Sequence, residues 1–177
     1  MSSVEQLIDK ARIAQQVYEN YDQGAVDEVV TAVAWALIEP SRNRELSQMA
    51  VKTTCLGKIE DKILKNERKT LGLLRDLRGA KSVGVISEDE ELGITEIARP
   101  VGVVAAVTPS TNPVATPTNN TLNALKGRNA IIIAPSPAGE KVCSRLIQYF
   151  HEELRSCLLY TSPSPRDAHE SRMPSSA

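Results

Sequence analysis

The sequence predicts an α/β protein in which N-terminal helices precede a β-ribbon and part of a doubly wound, Rossmann-like parallel sheet. Three observations support this fold class. Apolar residues recur at helical spacing over residues 1–80, and short segments over 82–99 alternate as strands do. From 101 to 155, two apolar strands alternate with two amphipathic helices, which is the order of a parallel sheet packed against helices.

The helical region divides into four helices at turn-forming residues. The predicted boundaries lie at Asp22, Pro40, Gly57 and Gly79. Asp22 is a good N-cap for the second helix, proline limits a helix that precedes it, and glycine is a common helix terminator. The last predicted helix of this region, from Lys58, carries Lys62 and Lys65, which we interpret as part of a solvated face.

The strand region contains an antiparallel ribbon followed by a β-α-β-α unit. Strands 82–87 and 94–99 flank an acidic turn and form the ribbon. The first parallel strand is a continuous run of small apolar residues, which is typical of a strand covered on both faces. The predicted elements of the unit are strand 101–107, helix 113–126 ending at Gly127, strand 130–134 and helix 137–155.

Composition excludes several functions. The formal net charge is -1 and aromatic residues make up 3% of the chain, so we expect no nucleic-acid partner. No signal peptide or membrane span is visible, and we expect a cytoplasmic protein without a membrane partner. The cysteines Cys55, Cys143 and Cys157 lack metal-ligand spacing, so no metal site is predicted. We expect Cys55 and Cys143 to be buried apolar residues.

The carboxyl ends of the two parallel strands predict the binding crevice. Ligands bind there in doubly wound sheets. Thr108-Pro109-Ser110-Thr111-Asn112 follows the first strand, and Pro135-Ser136-Pro137 follows the second. Neither a GxGxxG nor a GxxxxGK[ST] motif is present, so a glycine phosphate cradle is not expected. Both histidines lie near the far end, which disfavours a catalytic triad in the patterned region.

Asn112 has two alternative roles. An asparagine before Pro113 is a typical helix N-cap, and this is the more common role for the pair. At the mouth of a crevice, its amide can instead donate a hydrogen bond to a developing oxyanion. Ser136, between two prolines, has a similar ambiguity between helix capping and a ribose contact.

Two segments resemble the coenzyme-A-acylating branch of the aldehyde dehydrogenase superfamily. They are RPVGVVAAVTPSTNP, residues 99–113, and LKGRNAIIIAPSP, residues 125–137. The similarity extends from near the N-terminus to about residue 154. The resemblance implies the aldehyde dehydrogenase fold, NAD or NADP bound without glycine motifs, and coenzyme A and a small aldehyde as substrates. It also implies homo-oligomerisation through the 82–99 ribbon.

The resemblance also assigns site residues. Asn112 matches the family's oxyanion-hole asparagine, and Thr108, Pro109, Ser110 and Thr111 match the loop beside the nicotinamide. Ala134, Pro135, Ser136 and Pro137 match the segment at the adenosine ribose. In this family a cysteine thiolate attacks the aldehyde, hydride passes to NAD(P)+, and coenzyme A takes the acyl group. That cysteine belongs to a second domain, and none of the three cysteines here matches it.

We therefore expect residues 1–155 to be a partial cofactor-binding domain that is inactive by itself. Residues 156–177 are rich in serine and proline, and we expect a disordered tail that resembles adapter or vector sequence. The alternative function is a non-catalytic binding or oligomerisation module derived from the same fold. A small phosphate-binding α/β protein is disfavoured because the glycine loop is absent.

Overall fold

The computed structural model describes the backbone of residues 4–161 and the side chains of residues 4–156. A single 3-10 turn, Pro137–Gly139, joins the last strand to the last helix. The remaining elements are α1 (Val4–Tyr18), α2 (Gln23–Ile38), α3 (Pro40–Thr54), α4 (Ile59–Leu77), β1 (Gly84–Asp89), β2 (Ile94–Ala98), β3 (Val103–Thr108), α5 (Ala115–Lys126), β4 (Ala130–Pro135) and α6 (Glu140–Thr161). This order confirms the predicted fold class.

The helix starts follow from local side-chain chemistry. Asp22 caps α2 as predicted, since its Oδ1 accepts a hydrogen bond from the Ala25 amide at 2.8 Å. The Glu39 carboxylate accepts bonds from the first-turn amides of α3, and Pro40 occupies the first turn itself. A hydrogen bond from the Ser41 side chain is the main cause that lowers the pKa of Glu39. Pro40 therefore begins one helix as well as limiting another.

The core lies among the helices. Val33, Ala34 and Leu37 of α2 are fully buried, and they belong to one apolar cluster with side chains of α3, α5 and α6. Leu46 and Leu146 are also fully buried in this cluster. Burial of a leucine side chain contributes about 1.5–3 kcal/mol. The helical core is what holds α5 in place beside the sheet.

A buried polar network fixes α4 against α3. The Asn66 amide donates to Asn43 Oδ1 at 2.8 Å and to Ser47 Oγ at 3.2 Å. Asn43 in turn donates to the Ile63 carbonyl at 3.1 Å. Hydrogen-bonded groups inside a protein have defined partners, so this network sets the rotation of α4 about its own axis. That rotation determines which lysines of α4 point towards the sheet edge.

The two strand pairs differ as predicted. β1 and β2 form an antiparallel ribbon, with a register shift between Val85 and Ser87. β3 and β4 pair in parallel, from Val103↔Ala130 to Thr108↔Pro135. Within the described residues, each sheet has two strands.

The expectation that the first parallel strand is covered on both faces was wrong for the described residues. Ala106 and Thr108 are buried, whereas Ala105 is exposed and Val107 is 85% exposed. Successive strand side chains point to opposite faces. The described chain therefore covers one face of β3 and leaves the other apolar face open.

Two further expectations need correction. α6 continues to Thr161, beyond the predicted end at 155, so at least residues 156–161 of the predicted disordered tail are helical. Residues 162–177, with His169, lie outside the described residues. Cys55 is exposed because it is the left-handed C-cap of α3, with φ 56°, instead of a core residue.

Cys143 is buried, as predicted, and burial raises the pKa of its thiol to about 11. The side chain of Cys157 is outside the described set. Within residues 4–161, none of the helices combines the length and the hydropathy needed to cross a bilayer.

Candidate functional site

The two segments predicted to form the crevice lie together at one edge of the β3–β4 sheet. The Ser136 amide donates to the Thr108 carbonyl at 3.0 Å, which extends the parallel pairing by one step. A Cβ atom added at Gly139 would lie 3.0 Å from Pro113 Cβ, closer than nearly all real Cβ contacts. The absence of a side chain at Gly139 allows the turn after β4 to pack directly against the loop after β3.

The predicted site residues differ in exposure. Thr108 is buried, Ser110, Asn112, Pro135 and Ser136 are half-buried, and the others are exposed: Pro109, Thr111, Ala134 and Pro137. The hydroxyl oxygens of Thr108 and Ser136 are buried and have no hydrogen-bond partner among the described residues. Buried polar atoms without partners are uncommon in folded proteins. Two of the six such side-chain atoms among the described residues lie at this sheet edge.

The Asn112 side chain does not cap α5. The N-cap position of α5 is Val114, which makes no side-chain capping bond. The Asn112 Oδ1 atom instead accepts a hydrogen bond from Lys65 Nζ at 2.7 Å. The N-cap interpretation was wrong because α5 begins after Pro113 and a charged donor on α4 binds the amide oxygen.

The contact with Lys65 orients the Asn112 amide. An ammonium group donates hydrogen bonds only, so it holds the oxygen and directs the NH2 group elsewhere. Within the described part of the chain, Asn112 Nδ2 has no hydrogen-bond partner. The amide therefore presents a free donor at the sheet edge. The assignment of oxygen and nitrogen follows from this hydrogen bond.

The lysines of α4 were missed by sequence analysis. Lys62, expected on a solvated face, is only 8% exposed, and its Nζ lies 3.4 Å from the Thr111 carbonyl oxygen that accepts its hydrogen bond. Burial is the main cause that lowers the pKa of Lys62, and the charge of Lys65 is the second. The signal in the sequence was the spacing, since Lys62 and Lys65 are three residues apart and share one helix face.

An open cavity of about 410 Å³ lies beside Asn112. Its lining includes Lys65 and Lys69 of α4 and the first residues of α5. An amide donor and an ammonium group together can stabilise negative charge that develops on a carbonyl oxygen.

No group of three or more metal-ligating side chains exists in the part of the chain that the structure describes.

The KGRN motif before β4 has a structural role that the sequence did not reveal. Asn129 Oδ1 accepts hydrogen bonds from the Val101 and Gly102 amides at 2.7 and 3.0 Å, and its Nδ2 donates to the Ala124 carbonyl at 3.2 Å. A Cβ atom at Gly127 would lie 2.8 Å from Asn129 Nδ2. Gly127 therefore ends α5, as predicted, and also provides the space in which Asn129 connects α5 to the start of β3.

Residues 1–156 match the aldehyde dehydrogenase family. The chain belongs to this family. Its resemblance to the acylating branch is confirmed by curated relatives, of which three are acylating or acetylating dehydrogenases by name. The sulfoacetaldehyde dehydrogenase (acylating) of Cupriavidus necator is 56% identical over 151 residues, which cover 85% of this chain and 31% of that protein. The succinate-semialdehyde dehydrogenase (acetylating) of Clostridium kluyveri is 40% identical over 154 residues, with 86% and 33% covered.

A solved aldehyde dehydrogenase structure has the same fold. The acetylating aldehyde dehydrogenase from Geobacillus thermoglucosidasius superposes with a TM-score of 0.82 at 36% identity, covering 87% of this chain and 34% of that one. The chain thus spans about a third of the length of the aldehyde dehydrogenases it matches.

Proposed function

We propose that this chain is the cofactor-binding part of a CoA-acylating aldehyde dehydrogenase. The reaction is aldehyde + CoA + NAD(P)+ to acyl-CoA + NAD(P)H + H+, in which the aldehyde carbon loses a hydride and gains a bond to sulfur. The observation that carries the proposal is the Asn112 amide, which is held by Lys65 with its N–H donors free at the sheet edge. The names of the acylating relatives support the same reaction class.

In this proposal Asn112 is the oxyanion donor. When a thiolate attacks the aldehyde carbon, negative charge moves to the carbonyl oxygen. A fixed N–H donor stabilises that charge more than it stabilises the neutral aldehyde, which lowers the barrier. Lys65 contributes by holding the amide oxygen at 2.7 Å, so that the amide does not have to reorient during the reaction.

The turn after β4 fits a nucleotide. Ala134 and Pro137 are small or rigid, uncharged and exposed, so a ribose can approach the backbone there. The hydroxyl oxygens of Ser136 and Thr108 lie buried just beneath this edge and have no partner among the described residues. Thr108, Pro109, Ser110 and Thr111 would hold the nicotinamide side of NAD(P)+, and the cofactor would supply the hydride acceptor. Residues 134–137 carry neither an acidic nor a basic side chain, so they favour neither NAD nor NADP by charge.

The nucleophile is not among the described cysteines in this proposal. Cys143 is buried, with a thiol pKa raised to about 11, and therefore is not a thiolate near neutral pH. Cys55 does not line the cavity that contains Asn112. We accordingly propose that residues 1–155 act as a cofactor-binding domain and that the 177 residues alone turn over no aldehyde.

A chimera tests this function. Residues 1–155 would replace the aligned segment of the C. necator enzyme, and NAD(P)H formation at 340 nm would be followed with aldehyde and CoA. We expect acyl-CoA formation that requires all three substrates, and no turnover by the 177 residues alone. A folded chimera that binds neither nucleotide nor aldehyde would refute the proposal and favour a binding or oligomerisation module.

The β1–β2 ribbon is proposed as the surface that binds a second copy of the chain. Val85 and Ile97 pair across the ribbon and are 45% and 53% exposed, and Leu92 and Ile94 are also exposed. A two-stranded ribbon is marginally stable alone, and its unpaired edges can pair with another chain.

We expect Ile97→Lys to weaken self-association of the chimera at least about tenfold, because the new charge would lose water at the interface. Sedimentation equilibrium measures the effect. Glu91→Lys, in the turn of the same ribbon, is the matched control and should leave the assembly intact. Equal assembly of both variants would contradict the proposed interface.

A further inference from the structure

The cavity beside Asn112 is lined by cationic and amide groups. Lys65 and Lys69 reach it from α4, and Asn119 and Asn120 reach it from α5. The same cavity includes Ala115 and Thr116, the first two residues of α5. No described side chain caps α5, and in its first turn the Thr116 amide donates to the Asn112 carbonyl at 3.4 Å.

No acid lines the cavity, although Asp61 lies one helical turn before Lys65 on α4. Neither Lys65 nor Lys69 forms an ion pair within the described part of the chain. Lys62, Lys65 and Lys69 lie on one stripe of α4, and like charges at this spacing destabilise a helix. Burial is the main cause that lowers the pKa of Lys62, and repulsion from Lys65 lowers it further. A bound anion would relieve this repulsion.

We propose that Lys65 and Lys69 form an anion subsite that selects aldehydes carrying a sulfonate or carboxylate close to the carbonyl carbon. This inference rests on the proposed function, because it places the aldehyde oxygen at Asn112. Lys65 has three N–H donors and uses one on Asn112, so two remain for the anion. Lys69, one turn further along α4, contacts the same cavity. The subsite therefore begins directly beside the proposed oxyanion donor.

Phosphates of CoA or the nucleotide are another source of anionic groups. The cavity lies at Asn112, and none of the four residues 134–137 that we assign to the nucleotide lines it. This placement favours the aldehyde's own anionic group. The test therefore measures the KM values for CoA and NAD(P) as well as those for aldehydes.

The test uses the chimera with the C. necator enzyme and compares sulfoacetaldehyde with propionaldehyde, which is neutral. We expect Lys69→Met to lower the ratio of kcat/KM for the anionic over the neutral aldehyde roughly tenfold, the size of one charge-assisted contact. Lys69→Arg keeps the charge and should preserve most of the ratio. Arg68→Met is the matched control, because Arg68 is the exposed neighbour on α4 and does not line the cavity.

The outcomes are distinct. A ratio that falls in Lys69→Met and stays within about twofold in Arg68→Met supports the subsite, given the scatter of surface substitutions. An active chimera whose ratio is unchanged in Lys69→Met overturns the subsite and leaves the proposed function standing. A raised KM for CoA or NAD(P) with an unchanged aldehyde ratio also overturns it, and assigns the cavity to a phosphate. A folded chimera that oxidises neither aldehyde overturns the proposed function together with the subsite.

Discussion

Replacing Asn112 by alanine is expected to lower kcat of the chimera about 10²–10³-fold, the usual effect of removing one oxyanion donor. The Asn112 amide has its oxygen bound by Lys65 at 2.7 Å and its N–H groups free, so the substitution removes a donor that no described side chain replaces. KM for the aldehyde should change much less, because the donor acts mainly in the transition state. Steady-state kinetics at saturating CoA and NAD(P)+ measure both constants.

Two companion variants separate this role from a structural one. Asn112→Asp keeps an oxygen for Lys65 but places a carboxylate where the N–H donors were, so we expect at least as large a loss of kcat. Asn123→Ala, on the exposed face of α5, is the control and should retain activity. An active Asn112→Asp enzyme would show that no oxyanion develops at this amide.

Replacing Asn129 by alanine is expected to reduce the free energy of unfolding by about 2–4 kcal/mol, because two partly buried hydrogen bonds from amides and one buried bond to a carbonyl are lost. Asn129 is 8% exposed and binds the Val101 and Gly102 amides and the Ala124 carbonyl. Chemical denaturation followed by circular dichroism measures the change. Asn129→Asp keeps both acceptor contacts, so we expect a smaller loss.

Asn123→Ala serves again as the control for Asn129. Asn123 is an exposed asparagine on α5, and surface substitutions usually change stability by less than about 0.5 kcal/mol. If Asn129→Ala and Asn123→Ala unfold at the same denaturant concentration, the three hydrogen bonds of Asn129 do not stabilise the fold.

The sequence predicted most of the architecture because its signals are local. The Asp22 cap, the glycines after α3 and α4, and the alternation in the ribbon each depend on neighbouring residues, and each corresponds to the observed element boundary within a few residues. The parallel pairing of β3 and β4 was predictable because a short β-α-β unit has few ways to close. The crevice segments therefore met where expected.

Three of the failures involve contacts that are distant in sequence. The Asn112 amide binds Lys65, 47 residues away, so a local pattern could only indicate a helix cap. Lys62 is buried and donates to the Thr111 carbonyl, 49 residues away, which helical periodicity cannot show. Asn129 reaches back 28 residues to Val101, and nothing in the KGRN motif identifies that partner. Cys55 was predicted to be buried in the last turn of a helix, but α3 ends one residue earlier, at Thr54, and Cys55 is its C-cap.

The close packing of Gly139 on Pro113 has a consequence for engineering of coenzyme preference. The turn that follows β4 and the loop that carries Asn112 are joined by the Ser136–Thr108 hydrogen bond. They also pack so closely that a Cβ atom at Gly139 would lie 3.0 Å from Pro113 Cβ. A side chain introduced at Gly139 would displace the loop that carries Asn112, so under the proposed function a change beside the coenzyme segment would also alter turnover. Engineering of coenzyme preference would therefore keep Gly139 and measure nucleotide affinity and turnover of the chimera together.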